Sequence, residues 1–187
     1  MLMTNEAALD SLQAVDASGQ IPEAVRDTPV ARLLEYHNLG RPFEDHERAE
    51  LLIGMCMDNR NQLHVPNQFA FILRAGGANL RASEFKISFA IAIGGLRHMA
   101  LIGHTQCGMV GLHHRRREFI EGLVAHAGWT REAAAAHFDA NAPLFEIGDE
   151  QDFIGQEARR LNERYPMVQV VPMIYRVEDH RLYLLKE

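Results

Sequence analysis

Four short apolar runs set the architecture: LLIGM (51–55), FAFIL (69–73), HMALIG (98–103) and VQVVPMIY (168–175). Uninterrupted runs of this length fit strands buried on both faces of a parallel sheet. Between them lie stretches with helical spacing. Residues 82–96 have Ser83 as a candidate cap, 108–128 follow the third run directly, 129–145 have Thr130 as a cap, and 149–166 end at Pro166. Strands alternating with helices predict an α/β fold with a parallel sheet. HRLYLLKE, after the turn-like VEDH, reads as an edge strand. The expectation is a mainly parallel four-stranded sheet with a fifth strand at its edge, flanked by helices. Residues 3–36 read as helical, with Thr4 as a cap and Pro29 marking a break, and Asn38-Leu39-Gly40 closes the segment. Residues 1–45 are therefore read as an N-terminal helical arm and 46–187 as an α/β domain.

Bulk properties narrow the function. A chain of 187 residues, 47% hydrophobic, suits one domain with a sizeable core. Its 19 basic and 25 acidic residues give a net charge of −6, which argues against a nucleic-acid binder. No apolar stretch approaches the length of a membrane span, and MLMTNEAALDSLQAVD lacks the basic start and apolar core of a secretory signal. Two distant cysteines do not make a disulfide framework. The expected setting is reducing and cytoplasmic, with no nucleic-acid and no membrane partner.

The two cysteines stand at matching positions. Cys56, in CMDNR, follows the first apolar run; His104 and Cys107, in GHTQCG, follow the third. In open α/β sheets, sites form beyond the carboxyl ends of the strands. Singly, a buried cysteine reads as a small hydrophobe and a histidine as packing. Together, two thiolates and an imidazole at two strand ends suit zinc, one ion per chain. Three protein ligands leave a tetrahedral position open, as catalytic zinc requires, and no third cysteine exists to complete a closed Cys₃His site. Asp58 and Arg60 follow Cys56 at two and four residues, a spacing that permits a bidentate ion pair beside the metal; an ordinary ion pair at a strand end is the plainer alternative.

CMDNR (56–60), FILRAGGANLR (71–81) and GLRHMALIGHTQCGM (95–109) resemble the β-class carbonic anhydrases over residues 50 to 112, and the C-terminal VQVVPMIYRVEDHRLYLL more loosely. The resemblance implies reversible hydration of carbon dioxide to bicarbonate and a proton by zinc-bound hydroxide. It places Cys56, His104 and Cys107 on the metal and makes Asp58 and Arg60 the catalytic dyad, with Gly108 as candidate substrate contact. It further implies a homodimer or higher homo-oligomer, and an inactive form in which the aspartate itself takes the fourth metal position. The chain departs from the family's pattern at Arg74-Ala75-Gly76-Gly77, where an asparagine usually follows the arginine, and it has no glutamine in FEDHERAELLIG upstream of Cys56. The alternatives are therefore a carbon disulfide or carbonyl sulfide hydrolase on the same site, or a catalytically silent zinc-binding homologue.

Three further stretches carry expectations. Residues 113–150 lie outside the resemblance, and a role in shaping or closing the site's entrance is open to them. HHRRRE (113–118) reads as a solvated helix face, with an anion or partner site as the lesser reading. Gly76 and Gly77 read as a close backbone approach near the site, and Phe85, Phe89 and Ile93, at helical spacing, as core.

Overall fold

The computed structural model of this chain describes residues 11–186, so the expected cap at Thr4 lies outside the described residues. Among these residues six strands form one sheet: β1 (Leu12–Gln13), β2 (Leu51–Cys56), β3 (Ala70–Ala75), β4 (His98–His104), β5 (Gln169–Arg176) and β6 (Arg181–Leu185). Their order is β1-β6-β5-β4-β2-β3. The four apolar runs are the four mutually parallel strands, and β6 returns antiparallel to β5. Helices α1 (Pro29–Leu39), α2 (Glu84–Ala92), α3 (Arg116–Ala127), α4 (Arg131–Phe145) and α5 (Glu150–Arg164) cover the sheet and its carboxyl end.

The α/β class and the parallel core are as expected, and the beginning of the described chain differs. Leu12 and Gln13, inside a stretch read as helical, are extended and pair with Leu185 and Leu184. The free edge of β6 offers backbone groups that need partners, and that demand outweighs the helical spacing of a short polar segment. Short 3₁₀ turns at Ser18–Gln20 and Glu23–Val25 follow, and the helix proper starts only at Pro29. There Thr28 accepts the Val30 N–H, proline occupies the first turn, and Gly40 ends the helix at φ 66°.

Both faces of β2 and β4 are buried, which explains their apolar runs, whereas β3, read from FAFIL as buried on both faces, is an edge strand that leaves Phe71 and Ile72 exposed. Leu51, Ile53 and Met55 point towards α1 and the preceding turns, where Val25, Leu33, Leu34 and Tyr36 meet them. Leu52 and Leu101 point the other way, towards Ile87 of α2 and Ile154, Ala158 and Leu161 of α5. The described part of the arm thus packs on its own sheet. Helix α5 comes so close to β4 that a Cβ on Gly103 would lie 2.6 Å from Ile154 Cγ1. The expected core positions on α2 are a correction: Phe85, Phe89 and Ile93 are 81%, 52% and 73% exposed, and the buried face of that helix carries Ile87 and Ala90 instead. A nine-residue helix that is apolar nearly all round gives no sequence signal for which face is inside.

One half-buried polar contact makes the fold acid-sensitive. In the last turn of α1, His37 accepts the His64 N–H at Nδ1 (3.0 Å) and donates from Nε2 to the His180 carbonyl (3.0 Å). Burial pulls its pKa down to about 4, aided by the neighbouring His64 and Arg181. With a folded pKa below the unfolded value of about 6.5, the neutral ring contributes stability that is present above pH 6.5. That contribution is lost progressively as the pH falls from 6.5 through 4. Denaturant unfolding at pH 7.5 and 4.5 should show a wild-type loss exceeding that of His37→Gln, which keeps a donor and an acceptor without titrating, by on the order of 2 kcal/mol. Equal losses in the two proteins would remove His37 from the account.

Candidate metal centre

The sheet order brings the two cysteine motifs together. From β2 the chain steps outward to β3, then crosses back to β4 on the other side of β2, so β2 and β4 flank the switch point. Cys56 is the last residue of β2 and His104 the last of β4. The register, Met55 opposite Ile102, sets these ends side by side. Cys107 lies in the turn after β4, where Gln106 takes a left-handed φ of 59°. The ligand atoms of Cys56, His104 and Cys107 all lie within 4.8 Å of one another, and all three residues are buried.

Neighbouring groups aim each of these side chains. His104 Nδ1 donates to the Thr105 carbonyl (2.9 Å), which leaves Nε2 as the lone-pair nitrogen. That nitrogen is buried with no hydrogen-bond partner among the described residues. Glu150, at the start of α5, accepts the Cys107 N–H at 3.0 Å and fixes the turn. Gly77 donates its N–H to Cys56 Sγ at 3.3 Å. Gly77 sits at φ 64°, where a Cβ would press at 3.3 Å on Ile147 and Met109. The expected close approach of Gly76–Gly77 is therefore real, and it lies in the stretch that departs from the usual asparagine.

The two thiols are electrostatically unequal. Hydrogen bonding from Cys107 pulls the Cys56 pKa down to about 4, against its burial, and the same contact pushes Cys107 up. The proton is thus lost more readily from Cys56 than from Cys107. Burial disfavours the charged form of His104, but Cys56, the Thr105 carbonyl and Asp58 together outweigh it and raise the pKa. Two sulfurs that together shed a proton readily and an orphaned imidazole nitrogen form a donor set that fits zinc. Among the described residues no other group of three such side chains converges.

Asp58 and Arg60 form the bidentate pair that their spacing allows. Arg60 donates from its backbone N (2.9 Å) and Nε (3.0 Å) to Oδ1 and from Nη2 to Oδ2 (2.8 Å). Arg60 Nη2 also reaches the Gln106 carbonyl at 3.0 Å, tying the dyad to the turn that carries Cys107. This pairing holds the Asp58 pKa down to about 2. Asp58 Oδ2 lies 4.0 Å from His104 Nε2, beside the ligand group but outside it.

A cavity of about 1390 Å³ opens beside the site. Met57, Gly76, Gly108 and Met109 line its end nearest the metal group, and Phe119 and Phe138 of the α3–α4 hairpin line its far wall. The segment left outside the family resemblance thus lines this cavity beside the metal group. Gly108 borders this cavity. Sequence reasoning missed Glu150, Gln106 and Arg74, whose guanidinium donates to the carbonyls of Cys56 (3.1 Å) and Asn61 (3.0 Å). Glu150 and Cys107 are 43 positions apart, and no local pattern joins them.

No family model and no curated protein matches the sequence. Solved structures do match the fold. The β-carbonic anhydrase isoform I of Trichomonas vaginalis superposes with a TM-score of 0.59 at 16% identity, covering 79% of this chain and 90% of that one. The carbonic anhydrase of Streptococcus mutans gives 0.58 at 18% identity over 79% and 89%. The apo form of a carbon disulfide hydrolase gives 0.52 at 20% identity over 72% and 77%. Among the described residues no helix is long and apolar enough to cross a membrane. The fold of this chain, with a Cys-His-Cys group at its switch point, is the fold shared by the β-class carbonic anhydrases and the related carbon disulfide hydrolase.

Proposed function

We infer that this protein is a zinc enzyme that interconverts carbon dioxide and bicarbonate. The observation that carries the reading is the convergence of Cys56, His104 and Cys107 within 4.8 Å, with the Asp58–Arg60 pair alongside. Zinc held there supplies a Lewis acid that brings the pKa of water to about 7. The chain's own groups do the rest. Thr105 keeps the His104 lone pair aimed inward, Gly77 steadies the Cys56 sulfur, and Asp58, held by Arg60, offers a carboxylate oxygen that accepts a proton-bearing edge of the attacking water. The apolar cavity admits a neutral, linear substrate. The direct test is stopped-flow hydration of carbon dioxide by the zinc-loaded protein; absence of turnover overturns this reading.

A second reading, hydrolysis of carbon disulfide or carbonyl sulfide, draws on the same geometry and on the apolar lining by Met57, Met109, Phe119 and Phe138. Assaying sulfide release from carbon disulfide alongside hydration separates the two. A zinc-loaded protein with neither activity is the silent homologue.

The same reading includes a homodimer. Strand β3 is a sheet edge with Phe71 and Ile72 exposed, and Gly94, just after α2, abuts the Phe71 ring. Phe85, Phe89 and Ile93 extend this apolar surface along α2, and surface of this kind favours association. The double change Phe85→Glu, Ile93→Glu is expected to convert a dimer to a monomer in light scattering at micromolar concentration. A wild type that is already monomeric, or a variant that stays dimeric, sinks the assignment.

A further inference from the structure

Arg115 stands where the basic run HHRRRE meets the metal turn. Its Nη1 lies 3.0 Å from the position a Cβ on Gly108 would take, one residue beyond Cys107. Both Arg115 and Gly108 border the cavity. The other arginines nearby are engaged. Arg60 is spent on Asp58 and Gln106, Arg74 on two backbone carbonyls, Arg116 on Asp139 through two bonds, and Arg117 on Glu121. Arg115 touches only Glu118, through Nε at 3.2 Å and on an exposed surface. No hydrogen-bond acceptor meets its two Nη groups among the described residues, and the residue borders the cavity beside the site.

We propose that Arg115 is the group that holds the bicarbonate anion at the mouth of the metal centre. This rests on the carbonic anhydrase reading of the site. A guanidinium presents two parallel donors that match a planar oxyanion, whereas neutral carbon dioxide offers it little. Gly108 is part of the device, because a Cβ there would crowd the guanidinium tip at 3.0 Å and shift it by a few tenths of an ångström. The same contact stabilises the anionic transition state, so it acts on both directions of the reaction. The equilibrium constant is fixed, and kcat/KM must therefore fall by one factor in both. The two directions show that loss differently: in dehydration as a raised KM for bicarbonate, in hydration as a lowered kcat with KM for carbon dioxide unchanged.

The experiment combines calorimetric titration of inorganic bicarbonate into zinc-loaded wild type, Arg115→Gln, Arg115→Lys and Gly108→Ala with steady-state kinetics in both directions. Zinc content is checked in each protein. Arg115→Gln is expected to weaken bicarbonate binding about tenfold, Arg115→Lys by an intermediate factor and Gly108→Ala about twofold, and each is expected to show the split described. Bicarbonate affinity equal in wild type and Arg115→Gln overturns the proposal, and so does a wild type that binds no bicarbonate. A wild type that binds bicarbonate more tightly than Arg115→Gln, yet turns over no carbon dioxide, upholds the anion contact and overturns the enzymatic reading instead.

Discussion

Cys107→Ala is expected to abolish zinc binding and, with it, all turnover. Two sulfurs and one nitrogen converge within 4.8 Å, and both cysteines are nearly inaccessible. Water cannot readily replace a deleted thiol in such a place. Structural zinc sites of this kind are worth on the order of 10 kcal/mol in apparent binding energy at neutral pH. Losing one of three protein ligands should leave less than about a tenth of an equivalent of zinc after gel filtration. Hydration should fall by at least about 10³-fold, since the ionised water is lost. The fold should survive. The turn is held by backbone bonds that alanine keeps, from Val110 N to the Cys107 carbonyl and from Cys107 N to Glu150. Unchanged circular dichroism with zinc absent is the expected result. A variant that keeps a full equivalent of zinc removes Cys107 from the ligand set.

The part of this site legible in the sequence is the part in which local pattern and chemistry coincide. LLIGM and HMALIG announce buried strands, and the cysteines directly after them announce ligands, because thiols at strand ends in an α/β chain have few other uses. The sheet then needs only adjacency of β2 and β4 to bring Cys56 and His104 together, and parallel pairing provides it. Contacts made across long sequence separations could not be read. Glu150 on the Cys107 amide and Arg115 beside Gly108 depend on how the helices pack over the carboxyl end of the sheet. Leu12–Gln13 failed for a related reason, since strand pairing with β6 decides its conformation and local propensity does not. Phe85, Phe89 and Ile93 show the limit of hydrophobic spacing: it reports that a face is apolar and leaves open whether its cover comes from the same chain.

Asp58→Asn and Arg60→Ala should both depress the proposed carbon dioxide hydration while leaving zinc in place, and by different routes. Asp58 spends three of its acceptor positions on Arg60, through the backbone N, Nε and Nη2. Oδ2 also faces His104 Nε2 at 4.0 Å, so it is the edge of the carboxylate available to the attacking water. Its pKa of about 2 keeps it an acceptor throughout the working range. An asparagine amide has one acceptor atom and one donor atom. Turned one way it presents NH₂ to Arg60; turned the other way it presents NH₂ to the water. Neither orientation preserves the arrangement, and a loss of about 100-fold in kcat/KM is expected at every pH. Arg60→Ala leaves Asp58 intact but without its counter-ion. A carboxylate is a competent zinc ligand, and the freed side chain is within a short swing of the ligand group, where it competes with water. That competition weakens as the water ionises, so the Arg60→Ala loss should be largest below pH 7 and shrink at alkaline pH. The Asp58→Asn loss should stay flat. The double variant Asp58→Asn, Arg60→Ala should resemble Asp58→Asn alone, because no carboxylate remains to be captured. Hydration rates from pH 6 to 9, with zinc measured in each protein, decide the matter: wild-type rates in both single variants would reduce the dyad to a surface ion pair, and parallel profiles in the two would remove the capture of Asp58 from the account.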